Sequence, residues 1–431
     1  ETATMLRSIN SRVIKTTLRS VVRQQSTVAP TATEISQFNL FNPTDEHASL
    51  RTMLRDFVEK EVDPQALEFN RKEKFNVDLF RKLGDLGLLG ITVETEYGGS
   101  GMDATAAVIA HEEMSASDPA FCLSYLAHSM LFVNNLARNG SHEQKLKYLP
   151  GACDGTKIGG MGMSEPGAGT DVMGMSTSAT LTADGKHYVI NGAKMWITNG
   201  TVNGSDTGDV FLVYARTSND PRKGLTSFIV EKGMPGFTLG QKIEDKCGMR
   251  ASMTAELVFD NVKVPIENVV GEVGGATLCM MRNLEIERIT LAAMSLGIAR
   301  RSIEVMSNYS QQRKAFGKPI GDFGQIQKAI SESYAEYMAG RAYVYNVARH
   351  LDLNTYGNGL DADGVKLFCA PMAKRVADRA IQTLGGYGYV GEYQVERLWR
   401  DSKLLEIGGG TNEAHHKNMA RDIKKNHTKI L

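Results

Sequence analysis

The fold prediction starts from Met161-Gly-Met-Ser-Glu-Pro-Gly-Ala-Gly-Thr-Asp171, which lies where the character of the chain changes. Its small residues let backbone amides approach a ligand closely, and Ser164 and Thr170 add hydroxyl groups. The stretch has neither the lysine pattern of a P-loop nor the spacing of a dinucleotide-binding βαβ unit. Most glycine-rich loops are only turns, so its meaning depends on the sequence on either side.

The sequence before this stretch predicts helices over residues 45–157. Between His47 and Phe69 the apolar residues recur mostly every three or four positions, which is typical of an amphipathic helix. A Gly-Gly-Ser-Gly run at 98–101 ends this part, and Asp103 or Thr105 is expected to cap the next helix. Leu149-Pro-Gly151 then marks a boundary.

The sequence after it, to about residue 270, predicts strands. Thr, Val, Ile, Tyr and Phe are concentrated there, and the turn pairs Asp184-Gly185, Asn191-Gly192 and Asn199-Gly200 separate them. The predicted strands are Thr177–Leu181, His187–Ile190, Val210–Ala215, Thr226–Glu231 and Thr254–Val258.

Beyond Gly274-Gly275 the pattern is helical again. Long segments at 276–310, 325–353, 361–384 and 411–424 lack strand alternation, and short glycine-rich turns separate them. We therefore predict an α+β chain with a helical N-terminal domain (45–157), a β-barrel-like middle domain (158–274) and a C-terminal four-helix bundle (275–431).

Composition excludes several classes of protein. The 431 residues include 42% hydrophobic and 23% charged residues, an ordinary balance for a chain with a large core. The 49 basic and 49 acidic residues cancel, so a general basic field for nucleic acid or an anionic membrane is absent. The five cysteines are scattered without a Cys-x-x-Cys pair, which argues against a structural zinc site and predicts no metal. No apolar run was expected to reach the length of a membrane span.

The first 36 residues have a different character from the rest. They are rich in Ser and Thr, and they contain five basic residues but only two acidic ones, Glu1 and Glu34. A basic, acid-poor amphipathic segment is typical of a mitochondrial transit peptide, with Met5 as a candidate start. The alternative is a disordered basic tail or an arm that binds nucleic acid. The basic residues are Arg7, Arg12, Lys15, Arg19 and Arg23.

Four further segments suggest a binding site. Asn191–Gly200 contains Trp196, which is either a core side chain or a flat wall against an aromatic cofactor. Arg313-Lys-Ala-Phe-Gly317 offers a cation that could reach a phosphate. Gln382–Tyr389 is rich in glycine, and in Glu406–Glu413 a helix N-terminus begins at Thr411, which suits an anion.

Taken together, these segments resemble the acyl-CoA dehydrogenases, a family of flavoproteins, and most of all its mitochondrial isovaleryl-CoA-specific members. The resemblance covers about residues 45–424 and includes Tyr97–Gly101, Leu123–Ser129 and Val230–Phe237. It implies a homotetramer in the mitochondrial matrix with one FAD per subunit, held between domains and touched by a neighbouring subunit. It also implies an acyl-CoA substrate, and electron-transferring flavoprotein as the electron acceptor.

The family's reaction defines what the site needs. A carboxylate takes a proton from Cα of the thioester while hydride leaves Cβ for the flavin. Donors must stabilise the enolate oxygen, and desolvation must make the carboxylate more basic. Many members place that glutamate just before the Gly-Thr that opens the last helix, but this sequence has Gly409 there.

Isovaleryl-CoA-specific members use a glutamate on a bundle helix instead. The matching stretch is Leu284-Glu-Ile-Glu-Arg-Ile-Thr-Leu-Ala292, and the matching residue is Glu287. From one sequence such a helix glutamate would be interpreted as exposed or ion-paired. Because the usual position lacks a carboxylate, the resemblance makes Glu287 the predicted catalytic base.

The resemblance carries over two further groups of residues. The predicted flavin contacts are Met161, Met163, Ser164, Thr170, Trp196, Ile197, Thr198, Thr411, Asn412 and Glu413, with Arg313, Phe316, Gln382, Gly385 and Gly386 meeting a neighbour's FAD. The predicted substrate contacts are Thr170, Lys223, Leu278, Glu285, Arg288, Gly408, Gly409 and Gly410, the glycines leaving volume for a branched acyl chain.

Three positions depart from the family pattern. Gly324 follows Phe323 where the family commonly has Gln, with Gln325 one place later. Leu278 replaces a tyrosine near the substrate, and Lys223 replaces an arginine near the CoA phosphate. Two alternatives therefore stay open: a long-chain or other acyl-CoA dehydrogenase, or a non-catalytic flavoprotein assembly subunit of the same fold.

Overall fold

The computed structural model describes residues 39–220 and 223–425. The predicted transit peptide at 1–36 lies outside these residues. From Leu40 onward the chain forms one compact unit. Its helical, β and helical parts follow one another as predicted.

The N-terminal part consists of helices around an apolar core. Thr44 caps the first helix by accepting a hydrogen bond from the His47 amide, and Asp103, one of the two predicted caps, caps the fourth through the Ala106 amide. The predicted helix 47–69 is confirmed, with a π-helical insertion at Val58–Val62. The helices are α1 Asp45–Phe57, α2 Asp63–Lys72, α3 Val77–Asp85, α4 Ala104–Ser115, α5 Pro119–Leu126, α6 Asn135–Asn139 and α7 His142–Cys153.

One helical stretch corrects the expectation that no apolar run is long enough to span a membrane. Pro119–Asn139 consists of α5, a π-helical segment and α6, and it has the length and apolar composition that a membrane span requires. However, 94% of its most apolar window is buried inside the protein. The stretch is therefore a central core helix, apolar all round because protein surrounds it.

The middle part is one eight-stranded sheet. Its order is β6-β7-β3-β2-β4-β5-β8, with β1 pairing in parallel to β4. Most other neighbours are antiparallel, and Gly185 turns the β2–β3 hairpin with a φ of 68°. The strands are β1 Gly159–Gly162, β2 Ser178–Leu181, β3 His187–Thr198, β4 Val210–Arg216, β5 Leu225–Glu231, β6 Phe237–Lys242, β7 Thr254–Pro265 and β8 Val269–Val270.

The strand prediction differs from the structure in three ways. The predicted turn at Asn191-Gly192 is wrong, because β3 continues through it with a register shift, and Gly192 takes a φ of 145° in the bulge. The glycine-rich stretch also begins as a strand: Met161 lies in β1, whose glycines leave room for Phe132 and Phe211. Strands β6 and β8 were not predicted.

The C-terminal part is built from long helices. The prediction missed α12 and extended α9 beyond Ala348, where a loop begins instead. Thr411 caps α13 by accepting a hydrogen bond from the Ala414 amide, as expected. The elements are α8 Ala276–Gln312, β9 Lys314–Ala315, β10 Lys318–Pro319, α9 Gly324–Ala348, α10 Gly359–Leu384, α11 Gly386–Tyr389, α12 Val395–Leu405 and α13 Asn412–Lys425.

A buried charged cluster joins the N-terminal helices to the bundle. Arg51 of α1 pairs with Glu112 at 3.0 Å and also binds Glu113, both on α4. Arg341 of α9 binds Glu112 at 2.8 Å, and Tyr345 donates to the same carboxylate. Opposite charges compensate within the core, and these contacts fix α1, α4 and α9 against one another.

Candidate active site

The glycine-rich loop is tied to the tryptophan segment by backbone and by charge. The Met195 amide donates to the Ser164 carbonyl at 2.9 Å, which places the loop beside Trp196. Lys194, fully buried on β3, donates to Glu165 at 2.8 Å and to the Met163 carbonyl at 3.2 Å. These bonds set the path of the loop after β1.

Glu165 extends this attachment to the far end of the loop. Its carboxylate accepts hydrogen bonds from the Ser176 amide at 2.6 Å and the Thr177 amide at 2.9 Å. These bonds and the charge of Lys194 lower the pKa of Glu165 to about 2 despite burial, so it stays ionised. The pair thus clamps both ends of residues 163–177.

Trp196 presents an aromatic face to the outside of the chain. It has a φ of 66° at the second register shift of β3 and is 61% exposed, whereas the next residue, Ile197, is buried. Apart from the adjacent residues, no described heavy atom lies within 4 Å of the position that a Cβ would take at Gly167 or Gly169. An open flat ring beside an open glycine loop fits a planar aromatic cofactor.

Glu287 lies in the first third of α8 and is buried. Its Oε2 has no hydrogen-bond partner among the described residues. Burial raises its pKa to about 7, although the charges of Arg288 and Lys366 act in the opposite direction. A carboxylate that is unpaired and titrates near neutral pH has the properties of a general base.

The turn Gly408–Gly410 faces this carboxylate. Gly409 has a φ of 66°, and a Cβ there would lie 3.5 Å from Glu287 Oε1 and 2.3 Å from Leu291 Cδ1. Gly410 has a φ of 102°, and a Cβ there would lie 3.0 Å from the His415 ring. The sequence-predicted base and the sequence-predicted acyl-chain glycines are therefore neighbours in space.

Glu285 and Arg288 are held on either side of Glu287 by other helices and loops. The Gly357 amide donates to Glu285 Oε1 at 3.2 Å, which ties α8 to the loop before α10. Arg288 pairs with Asp363 of α10 at 3.0 Å. Glu285 Oε1 and Arg288 Nη1 are thus paired within the chain.

Two predicted substrate contacts lie near the start of α8. Lys223 is exposed, and its backbone packs against Gly274, just before the helix. Leu278, in the first turns, is 58% exposed. Leu278 is nine positions before Glu287 on the same helix, about 14 Å along its axis.

A second group of predicted flavin contacts gathers elsewhere. Arg313, Gly385 and Gly386 line one open cavity of about 480 Å³, and Phe316 and Gln382 are exposed. Arg313 follows the last residue of α8, 26 residues beyond Glu287, which corresponds to about 39 Å along the helix. The structure does not bring this group to Glu287 within one chain.

The comparisons with known proteins identify the family of the chain. Residues 44–156 match the N-terminal domain, 160–262 the middle domain and 274–424 the C-terminal domain of acyl-CoA dehydrogenases. The chain belongs to the acyl-CoA dehydrogenase family. As a member it is an oxidoreductase, and its domains follow the family's order.

Individual relatives refine the assignment within the family. The chain is 42% identical to the mitochondrial isovaleryl-CoA dehydrogenase of Solanum tuberosum, over 96% of this chain and 98% of the relative. It is 39% identical to the mitochondrial 2-methylacyl-CoA dehydrogenase of the same plant, over 97% and 98%. A solved acyl-CoA dehydrogenase from Bacillus anthracis, complexed with FAD, aligns with a TM-score of 0.82 and 32% identity, covering 90% of this chain and 68% of that one.

Sequence reasoning missed the buried lysines of the acyl-CoA dehydrogenase site. Lys194 follows Tyr188 and Ile190 at even spacing on β3, so the period-2 pattern placed it on the buried face. Lys366 lies on α10 between Val365 and Cys369, in a stretch that is otherwise apolar. A charged residue on a predicted buried face was the available signal.

Proposed function

We propose that this acyl-CoA dehydrogenase oxidises a short branched acyl-CoA, isovaleryl-CoA to 3-methylcrotonyl-CoA, as in leucine catabolism. The observation that carries the proposal is the buried Glu287 carboxylate opposite the turn Gly408–Gly410, whose Oε2 has no hydrogen-bond partner in the described part of the chain. Its high pKa supports proton abstraction, and the absence of side chains at 408–410 supports a branched acyl chain beside it.

The residues of the chain divide the reaction between them. Glu287 takes the proton from Cα of the thioester, and the pair of electrons left at Cα becomes the new double bond as hydride leaves Cβ. Bound FAD supplies the acceptor for that hydride. We assign its binding to the loop Met161–Thr170, with Met163 and Ser164, to the segment Trp196–Thr198, and to the start of α13 at Thr411–Glu413.

The second group of contacts supports a homo-oligomer. Arg313 lies about 39 Å from Glu287 along α8, and Gly385 and Gly386 line the same cavity as Arg313. We assign these three residues, with Phe316 and Gln382, to the FAD of a neighbouring subunit in a homotetramer. Electron-transferring flavoprotein is the proposed acceptor of the electrons. Relatives with mitochondrial names support a location in the mitochondrial matrix.

A substrate panel tests the specificity. Anaerobic bleaching of the flavin absorbance is measured with isovaleryl-, 2-methylbutyryl-, butyryl- and palmitoyl-CoA. We expect the highest rate with isovaleryl-CoA. Preference for 2-methylbutyryl-CoA would instead assign the chain the activity for which its relative, the 2-methylacyl-CoA dehydrogenase, is named. Preference for palmitoyl-CoA would identify the chain as a long-chain enzyme.

The variant Glu287→Gln tests the base. It keeps the side-chain volume and removes the proton acceptor, so FAD should stay bound while bleaching slows by at least about 10²-fold. Bleaching at the wild-type rate would disprove this role of Glu287. Bound flavin that bleaches with none of the four substrates would support the non-catalytic assembly subunit.

A further inference from the structure

A second buried charge lies beside the proposed base. Lys366 of α10 is fully buried, and its ammonium group donates to the Gly410 carbonyl, the last residue of the turn that faces Glu287, at 2.5 Å. His415 Nε2 lies 3.0 Å from the same carbonyl oxygen. The carbonyl therefore anchors the ammonium group at the turn.

Lys366 acts on Glu287 through space and not through a direct bond. Its charge lowers the pKa of Glu287, yet the described residues include no hydrogen bond to Glu287 Oε2. A direct ion pair would hold the carboxylate as a stable anion and weaken it as a base. Anchoring the ammonium on Gly410 supplies the charge and leaves the carboxylate free.

The charged and titratable groups around this lysine and Glu287 come from five parts of the chain. Asp363 connects two of them, because its Oδ1 binds both Arg288 at 3.0 Å and His415 Nδ1 at 2.6 Å. The groups that act on Lys366 or Glu287 are Arg288 on α8, Asp363 on α10, Glu406 after α12, His415 on α13 and Tyr214 on β4. Among these, Glu406 is itself paired with Lys403 at 2.6 Å.

We propose that Lys366 is a positioning residue whose ammonium group, anchored on the Gly410 carbonyl, sets the pH at which Glu287 accepts a proton. The proposal rests on the proposed function, because it assigns a role toward the same base. Burial lowers the pKa of Lys366 to about 8, so the lysine is mostly cationic at pH 7, where Glu287 is about half ionised.

The test compares Lys366→Met with the wild type between pH 6 and pH 9. Loss of one nearby opposite charge should raise the pKa of Glu287 by about one unit, so at pH 7 the ionised fraction and the bleaching rate fall about fivefold. Near pH 9 the wild-type lysine is neutral and Glu287 is ionised in both proteins, so the rates should converge. Lys366→Arg keeps the charge and should restore the wild-type profile.

A readout that needs no substrate accompanies the rates. The carboxyl infrared band that disappears in Glu287→Gln is followed against pH in FAD-loaded wild type and in Lys366→Met. The band should titrate about one unit higher in the variant. It reports on the proposal even if no acyl-CoA bleaches the flavin, so failure of the proposed function is distinguished from failure of this inference.

Lys246 provides the matched control. Burial also lowers the pKa of this lysine to about 8. Lys246 lies elsewhere, in the segment between β6 and β7, and it donates a hydrogen bond to Thr254 Oγ1 at 2.9 Å. Lys246→Met should leave the Glu287 titration unchanged. An unchanged Glu287 titration in Lys366→Met, or an equal loss of rate at pH 7 and pH 9, would overturn the proposal.

Discussion

Moving the carboxylate from α8 to the turn tests whether position near the substrate, and not one particular helix, makes the base. The change is Gly409→Glu in a Glu287→Gln background. A Cβ at position 409 would lie 3.5 Å from Glu287 Oε1, so side chains at the two positions reach the same region of the site. A carboxylate on the turn should therefore restore part of the bleaching lost with Glu287.

The substitution Gly409→Glu should also lower the stability of the fold, for two structural reasons. Gly409 has a φ of 66°, and a non-glycine residue in that region is destabilised by about 1–2 kcal/mol. The new Cβ would lie 2.3 Å from Leu291 Cδ1, which is the end of a flexible side chain and can move, at about 0.5–1.5 kcal/mol if it leaves its preferred rotamer. We expect folded protein with about 2 kcal/mol less stability.

The assay compares two double variants by anaerobic bleaching with butyryl-CoA and isovaleryl-CoA. Glu287→Gln/Gly409→Ala has the same backbone strain and contact with Leu291 but no carboxylate. We expect Glu287→Gln/Gly409→Glu to bleach at least about tenfold faster than this control with butyryl-CoA. With isovaleryl-CoA the gain should be smaller, because the new side chain fills space beside a branched chain. Equal rates in the two double variants with both substrates would refute the reasoning.

Two further predictions concern buried ion pairs. Lys194→Met should leave the charge of Glu165 uncompensated and destabilise the fold by about 3–5 kcal/mol. The variant should also release FAD during gel filtration. The double variant Lys194→Met/Glu165→Gln should regain most of the stability. Arg51→Met should lower the thermal midpoint measured by circular dichroism. The pKa of Glu112 is lowered to about 2, so its ion pair with Arg51 stabilises the fold fully above about pH 4.5. This stabilisation is lost as the pH falls toward 2. The difference in thermal midpoint between Arg51→Met and the wild type should therefore shrink between pH 4.5 and pH 2.

The order of domains could be predicted because each depends on local signals. Apolar spacing of three to four residues gave the helices, and caps such as Asp103 and Thr411 were visible as residue types. The errors came from tertiary context. Gly192 resembles a turn, but β3 passes through it because β7 pairs with β3 on both sides of the bulge. Helix α12 was missed because its apolar face is short and lies between glycine-rich segments.

The candidate site was less predictable, because burial and pairing decide it. Motif resemblance named Glu287 and the turn, but nothing in the sequence places Gly409 within 4 Å of that carboxylate. Lys366 and Asp363 were not identified, since a lysine and an aspartate on a helix are ordinarily solvent-exposed. Only the packing of α10 against α8 and α13 shows that these charges are buried beside the base.

Three glutamates, Glu285, Glu287 and Glu406, show why the environment of a carboxylate selects the base. Glu406 is paired with Lys403 at 2.6 Å, and its pKa is lowered, so it is a poor proton acceptor. Glu285 is buried, which raises its pKa, but the Gly357 amide donates to it and opposes that shift. Glu285 and Glu287 are both buried, and each has an Oε2 without a hydrogen-bond partner among the described residues, but only Glu287 has its pKa raised to about 7. Because Glu285 and Glu287 are two positions apart on one helix, they point to different sides, and the same residue type can bind a loop at one position and serve as base at the other.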